Sequence, residues 1–141
     1  MKILVPVDGS DNSLRALRHL IENRDEDGRN LELHLLNVQL PVASGAVKMF
    51  IHEDQLRQYY QDEAQQALRS ARSLLKEAGV AYEHHIIVGD VASTIARFAK
   101  ESACARIVMG ARGLGELSGI LMGLVTTKVI QLTEIPVLLV K

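Results

Sequence analysis

Short runs of consecutive apolar residues alternate along this chain with stretches in which apolar residues recur every three or four positions. That alternation is the strongest constraint on the fold. Runs buried on both faces read as strands of a parallel sheet, and the periodic stretches read as crossover helices between them. Lys2 to Val7 is the first expected strand. Asp8-Gly9-Ser10 is a tight turn, with Ser10 or Asp11 as helix N-cap, and Leu14, Leu17, Leu20 and Ile21 mark the first helix. Leu31 to Val38 is the second strand, followed by a loop from Gln39 to about Phe50. A long helix is expected from His52 to Ala78, with Tyr60, Ala64, Ala67, Ala71, Leu74, Leu75 and Ala78 as its stripe and Gly79 after its end.

Ala81 to Val88 is a third strand, polar enough at Glu83, His84 and His85 to suit a sheet edge. Ser93 to Ser102 reads as a short helix and Arg106 to Met109 as the fourth strand. Gly110 to Gly119 reads as a loop, Ile120 to Leu132 as a helix, and Pro136 to Val140 as the last strand. Five strands with helical crossovers make a doubly wound sheet. Such sheets take ligands beyond the carboxyl ends of their strands, where the strand order reverses. Here the expected pair at that point is the first and fourth strands.

Composition narrows the function classes. The 141 residues fit one domain, with 48% hydrophobic and 23% charged residues. A formal net charge of −1 gives no basic footprint for nucleic acid or for a membrane surface. One cysteine, Cys104, rules out an intramolecular disulfide. The opening apolar run is too short for a signal-peptide core, and no stretch has the apolar length of a membrane span, so a cytoplasmic location is expected.

The segment from Gly110 to Gly123 carries the chemical signal. Gly110 follows a strand directly, where backbone approaches a ligand closely. Gly113 is able to take positive φ and so turn successive amides into one anion-binding concavity. Gly123 falls in the first turn or so of the next helix, where open amides favour phosphate. Arg112 adds charge or points to solvent. No Lys-Ser or Lys-Thr pair follows a glycine, so this is not the P-loop pattern. The competing reading is a glycine-rich connection that lets a helix pack close to the sheet.

Four ordered segments resemble the universal stress protein family (the UspA-like proteins) over essentially the whole chain. They are Lys2-Ile3-Leu4-Val5-Pro6-Val7-Asp8-Gly9-Ser10, then Val88-Gly89-Asp90 with Ala92 and Ile95, Ile107 to Gly113, and Pro136 to Val140. The resemblance implies an α/β fold: a single doubly wound, Rossmann-like, five-stranded parallel sheet in the order 3-2-1-4-5 with helices on both faces, one domain over residues 1–141. ATP-binding members carry a glycine, two residues, a glycine, nine residues, then a glycine followed by serine or threonine. Gly110, Gly113 and Gly123 match that spacing. Leu124 departs from it and lacks the hydroxyl that helps hold the terminal phosphates. Thr126 and Thr127 lie nearby as substitutes. The resemblance also implies Asp8 at the adenosine end and backbone contacts from Val7 and Val38. The expected nucleotide-contacting positions are therefore Pro6, Val7, Asp8, Val38, Met109, Gly110, Arg112, Gly113, Gly123, Leu124, Val125 and Thr126, with ATP or a related adenine nucleotide, and magnesium, as ligand.

Other residues have plainer readings. Leu124 joins Leu121, Val125 and Leu132 on a helical face and is expected to point to a core or an interface. His34, His84 and His85 show no metal-ligand spacing and read as polar strand surface, so no metal is expected. Cys104 reads as buried and inert, and Tyr59 and Tyr60 as helix packing. No nucleophile, base and orienting group fall in a recognisable arrangement, so no catalytic residues are assigned and nucleotide is expected to be held, not turned over. The apolar last strand, Pro136 to Val140, is an exposed-edge hazard that a second copy would cover, and the family resemblance implies the same homodimer. The expected function is a dimeric stress-response regulator that binds an adenine nucleotide. The alternative is a dimeric interaction module of the same family that binds none, because of Leu124.

Overall fold

The structure is a computed structural model that describes residues 1–25, 30–42, 52–111 and 123–141. Along the chain these form β1 (Lys2–Pro6), α1 (Asp11–Glu22), β2 (Glu32–Gln39), α2 (Glu53–Ala78), β3 (Tyr82–Val88), α3 (Val91–Glu101), β4 (Arg106–Gly110), α4 (Leu124–Leu132) and β5 (Val137–Val140). The five strands form one sheet in the order β3-β2-β1-β4-β5. Each neighbouring pair is parallel, with Leu4 opposite His34 and Ile107, and Ile107 opposite Val137. The strand order reverses between β1 and β4, as expected.

Residues alternate across the sheet and build two cores, as strand geometry requires. Ile3, Val5, Leu33, Leu35 and Val108 point to one face, where α1 supplies Leu17 and Leu20 and α2 supplies Leu68, Ala71 and Leu75. Leu4, Leu36, Ile107 and Met109 point to the other, under Ala92, Ile95 and Ala99 of α3 and Val129 of α4. The α2 stripe includes the fully buried Leu68, a position the expected stripe lacked.

The caps explain where the helices start. Ser10 caps α1, its Oγ accepting from the amide of Ser13 at 3.3 Å. His52 caps α2 in a reciprocal box with Gln55. Asp90 accepts from the amide of Ser93, so α3 begins at Val91, two residues before the expected start. The Ser93 hydroxyl, donating to Asp90 Oδ2 at 2.6 Å, and then that amide bond hold the Asp90 carboxyl below its usual value of 3.8. Gly79 closes α2 with φ +67°, a left-handed backbone that glycine adopts without strain.

Several expectations are corrected. Gly110 is the last residue of β4, paired with Val140, and not the first of a loop. Gly123 is extended and precedes α4 as its N-cap, so this helix starts at Leu124; Ile120, the expected start, lies outside the described residues. Leu124 is 74% exposed and so is not a core residue. His34 is buried at 5% exposure and bonded to His85, so these two are not simple polar surface, whereas His84 is exposed. Cys104, by contrast, is buried as expected, and burial pushes its thiol above the usual value. Arg112, Gly113 and residues 114–122 lie outside the described residues, as do 43–51 of the loop after β2.

Candidate functional site

β1 stays paired with β2 through Pro6 and Leu36, but its pairing with β4 stops at Leu4 and Ile107, at the point where the strand order reverses. The turn after β1 is set by local chemistry. Asp8 Oδ1 accepts from the Ser10 amide at 2.8 Å and from Ser13 Oγ at 3.2 Å, closing an Asx turn onto the head of α1. Gly9 sits at φ +84°, and a Cβ there would lie 3.3 Å from the Ala67 backbone of α2. The two helices therefore converge on this turn.

A cavity of about 450 Å³ opens there. That volume is in the range of small-molecule sites. β1 and its turn contribute Pro6, Val7 and Asp8; β2 contributes Val38; β4 contributes Met109 and Gly110; α4 contributes Val125 and Thr126. The structure thus brings these expected positions together. Gly123 and Leu124 are not part of the wall, and Arg112 and Gly113 fall outside the described residues.

The walls divide by chemistry. Leu36, Val38, Ile95 and Met109 form an apolar side. Asn37 and Gln39 supply amides, with Gln39 Nε2 donating to Asn37 Oδ1 at 2.6 Å and Asn37 Nδ2 donating to the Val7 carbonyl at 2.8 Å. The Val7 amide donates to the Leu36 carbonyl. Both backbone groups of Val7 thus have partners within the chain, which fixes the cavity floor. This mixture of an apolar wall and a few anchored polar groups suits a heteroaromatic ring with a polar rim.

At the β4 side, glycine serves packing. A Cβ on Gly110 would lie 2.5 Å from the Asn12 carbonyl oxygen in the first turn of α1. The close approach that demands glycine is therefore helix against strand. The carbonyl of Gly110 accepts from Thr126 Oγ1 at 3.2 Å, and Thr127 Oγ1 donates to the Gly123 carbonyl at 2.9 Å. Both hydroxyl protons are committed to backbone, so neither threonine stands ready to replace the hydroxyl that Leu124 lacks. Gly123 precedes α4 without a side-chain cap bond, and its carbonyl accepts from the Thr127 amide at 3.0 Å.

Sequence reasoning missed contributors from β2, α2 and α1. Asn37 is a polar residue within an otherwise apolar strand and only 2% exposed, which was the available signal. Tyr59, Glu63 and Ala67 of α2 also line the cavity. Tyr59 is half-exposed at this rim, so it does not act as helix packing, and Tyr60 accepts from the Val42 amide through its hydroxyl at 2.8 Å. Ser10 and Ser13 complete the wall from α1.

Comparison with known proteins agrees with this architecture. The model of the Universal stress protein family matches residues 1–141. The chain is 33% identical to the universal stress protein MJ0531 of Methanocaldococcus jannaschii, over 99% of this chain and 81% of the relative. The solved structure of MJ0577 from the same organism superposes with a TM-score of 0.83 at 31% identity, covering 99% of this chain and 94% of that one. A universal stress protein from Archaeoglobus fulgidus, solved in complex with dAMP, gives a TM-score of 0.67 at 25% identity, covering 100% of this chain and 98% of that one.

Proposed function

The chain belongs to the universal stress protein family, and from that premise we propose that it binds an adenine nucleotide in the cavity between β1, β2 and β4. The observation that carries the proposal is the cavity itself: a site of about 450 Å³ at the strand-order reversal, with an apolar wall and anchored amides. Its described part suits the base and ribose. A dAMP complex of a relative with the same fold supports the same ligand class. The phosphates would extend toward the first turn of α4 and toward Arg112 and Gly113. ATP, with magnesium on its phosphates, is the proposed nucleotide. The chain then acts as a cytoplasmic regulator that holds ligand without turnover. Among the described residues, no helix is long and apolar enough to cross a membrane.

We further propose a homodimer through Pro136 to Val140. β5 hydrogen-bonds to β4 on one side only and forms the sheet edge. The second reading is a family member that works through protein contacts and binds no nucleotide. The exposure of Leu124 at the head of α4 favours it. Calorimetric titration with ATP and magnesium separates the two. Saturable heat with a 1:1 endpoint supports the nucleotide reading. The absence of both heat and a thermal shift at millimolar ATP would overturn it. Light scattering that shows a monomer at micromolar concentration would refute the dimer.

A further inference from the structure

A second cluster of functional groups lies away from this cavity, toward the amino ends of β2 and β3. His34 faces Glu83 across the parallel pair, and His85 is two residues further along β3. His34 Nδ1 and His85 Nε2 are 2.8 Å apart. The ring centroids are 5.1 Å apart and the planes within 12°, so the two imidazoles meet nearly in line, nitrogen to nitrogen. A proton must lie between them. Glu32 decides which ring supplies it. Its Oε1 is 3.0 Å from His34 Nε2. An ionised carboxylate only accepts, so the His34 proton sits on Nε2 and its Nδ1 keeps a lone pair. His85 therefore donates through Nε2. The bond from His34 also lowers the pKa of Glu32 below its usual 4.5.

Glu83 Oε2 lies 3.7 Å from the same His34 Nδ1. One donor atom each from His34, Glu83 and His85 fall within 4.8 Å of one another. We propose that these three residues form a site for a divalent transition ion of the zinc type, with His34 Nδ1, His85 Nε2 and a Glu83 oxygen as ligands. Two nitrogens and one carboxylate suit zinc better than magnesium or calcium, which prefer all-oxygen shells. Glu32 is the outer carboxylate that holds the tautomer and orientation of His34, the arrangement usual behind metal-bound imidazole. The carboxylates of Glu32 and Glu83 stand against two nearby cations, the amino terminus and Lys2, and the Lys2 Nζ is held on the Ser102 carbonyl at 2.9 Å.

The ion takes the place of the shared proton. The proton on His85 moves through solvent from Nε2 to Nδ1, so the neutral pair loses none. Two bonds of about 2.0 Å at a tetrahedral angle need the nitrogens about 3.3 Å apart. The gap must open by about half an ångström from its present 2.8 Å. His34 is buried and fixed, so His85 and Glu83 make the adjustment. His85 is part-exposed against Phe98, with ring centroids 4.6 Å apart, and Glu83 is exposed. Water fills the remaining coordination position. None of the four residues lines the nucleotide cavity, so the site is independent of that reading.

The test uses the full chain and zinc ion alone, in competition with a chromogenic chelator at pH 7.5. Wild type is expected to bind one zinc per chain, with a rise in Tm. His85→Gln, at a part-exposed position, is expected to weaken binding at least 100-fold and remove that rise. Glu32→Gln is expected to weaken it about 10- to 100-fold. Imidazole ¹⁵N shifts of His34 and His85 in wild type provide a readout that needs no variant. Zinc binding with wild-type affinity to His85→Gln, or wild-type imidazole shifts unmoved by zinc, would overturn the proposal. So would the absence of binding below millimolar zinc.

Discussion

Replacing Gly110 with alanine tests whether the glycine at the end of β4 is there for packing. The backbone angle is no obstacle, because among the described glycines only Gly9 and Gly79 have positive φ. Room is the obstacle. The new Cβ would lie 2.5 Å from the Asn12 oxygen, 2.6 Å from its carbonyl carbon and 2.6 Å from its Cβ. Ordinary contact begins at 3.4 Å, so the head of α1 must retreat by about 0.9 Å. That turn is tied down by the Ser10 cap and by Asp8 bonding Ser13. Overpacking against fixed backbone costs about 1–3 kcal/mol. The loss of glycine's freedom in the unfolded chain offsets about 0.4–1 kcal/mol. The net expectation is about 1.3 kcal/mol of destabilisation and a Tm lower by about 4 °C. Urea unfolding with an unchanged slope measures it. Two of the three close atoms are backbone, so Asn12→Gly should give at most partial rescue in the double variant. A loss below about 0.5 kcal/mol, or full rescue by Asn12→Gly, would refute the packing account.

Leu124→Thr should restore the phosphate contact at an exposed position with little change in stability. A charge-assisted bond of about 1.5 kcal/mol gives roughly tenfold tighter ATP binding with adenosine affinity unchanged. Equal ATP affinity by calorimetry would show that position 124 does not meet the phosphates. Asp90→Ala should lower stability at neutral pH by removing the α3 cap. The folded-state pKa of Asp90 is depressed, so its contribution is present above 3.8 and lost as pH falls through the lower folded value. The gap in urea midpoint between wild type and Asp90→Ala should therefore shrink as pH falls below 3.8; a constant gap would refute the linkage.

The sheet was legible in the sequence because parallel strands are nearly continuous apolar runs, as in Ile3-Leu4-Val5. Element starts were less legible. Asp90 and Gly123 each fix a boundary through cap geometry, and a sequence displays the residue without its angles. The cavity positions on β1 and β4 were legible through the reversal rule and the glycine spacing. Asn37 and Tyr59 were not, because their place in the wall depends on how β2 and α2 converge on one turn. Gly110 shows the ambiguity most clearly. Its spacing matches a nucleotide motif, yet the close contact that requires glycine is with Asn12. His34 and His85 are 51 positions apart, and only the β2–β3 register brings their nitrogens within bonding distance.

The two rims of the sheet are unlike. β5 offers Val137-Leu138-Leu139-Val140, whereas β3 presents Glu83 and His84 to solvent. Growth of sheets into a filament needs an adhesive border on both sides of every subunit. This subunit has one adhesive border and one charged one. Any joining along β5 consumes the adhesive border of both copies at once and leaves only charged borders outward. The proposed dimer would thus be self-terminating at two, with the stoppage written into the opposite rim from the one that joins.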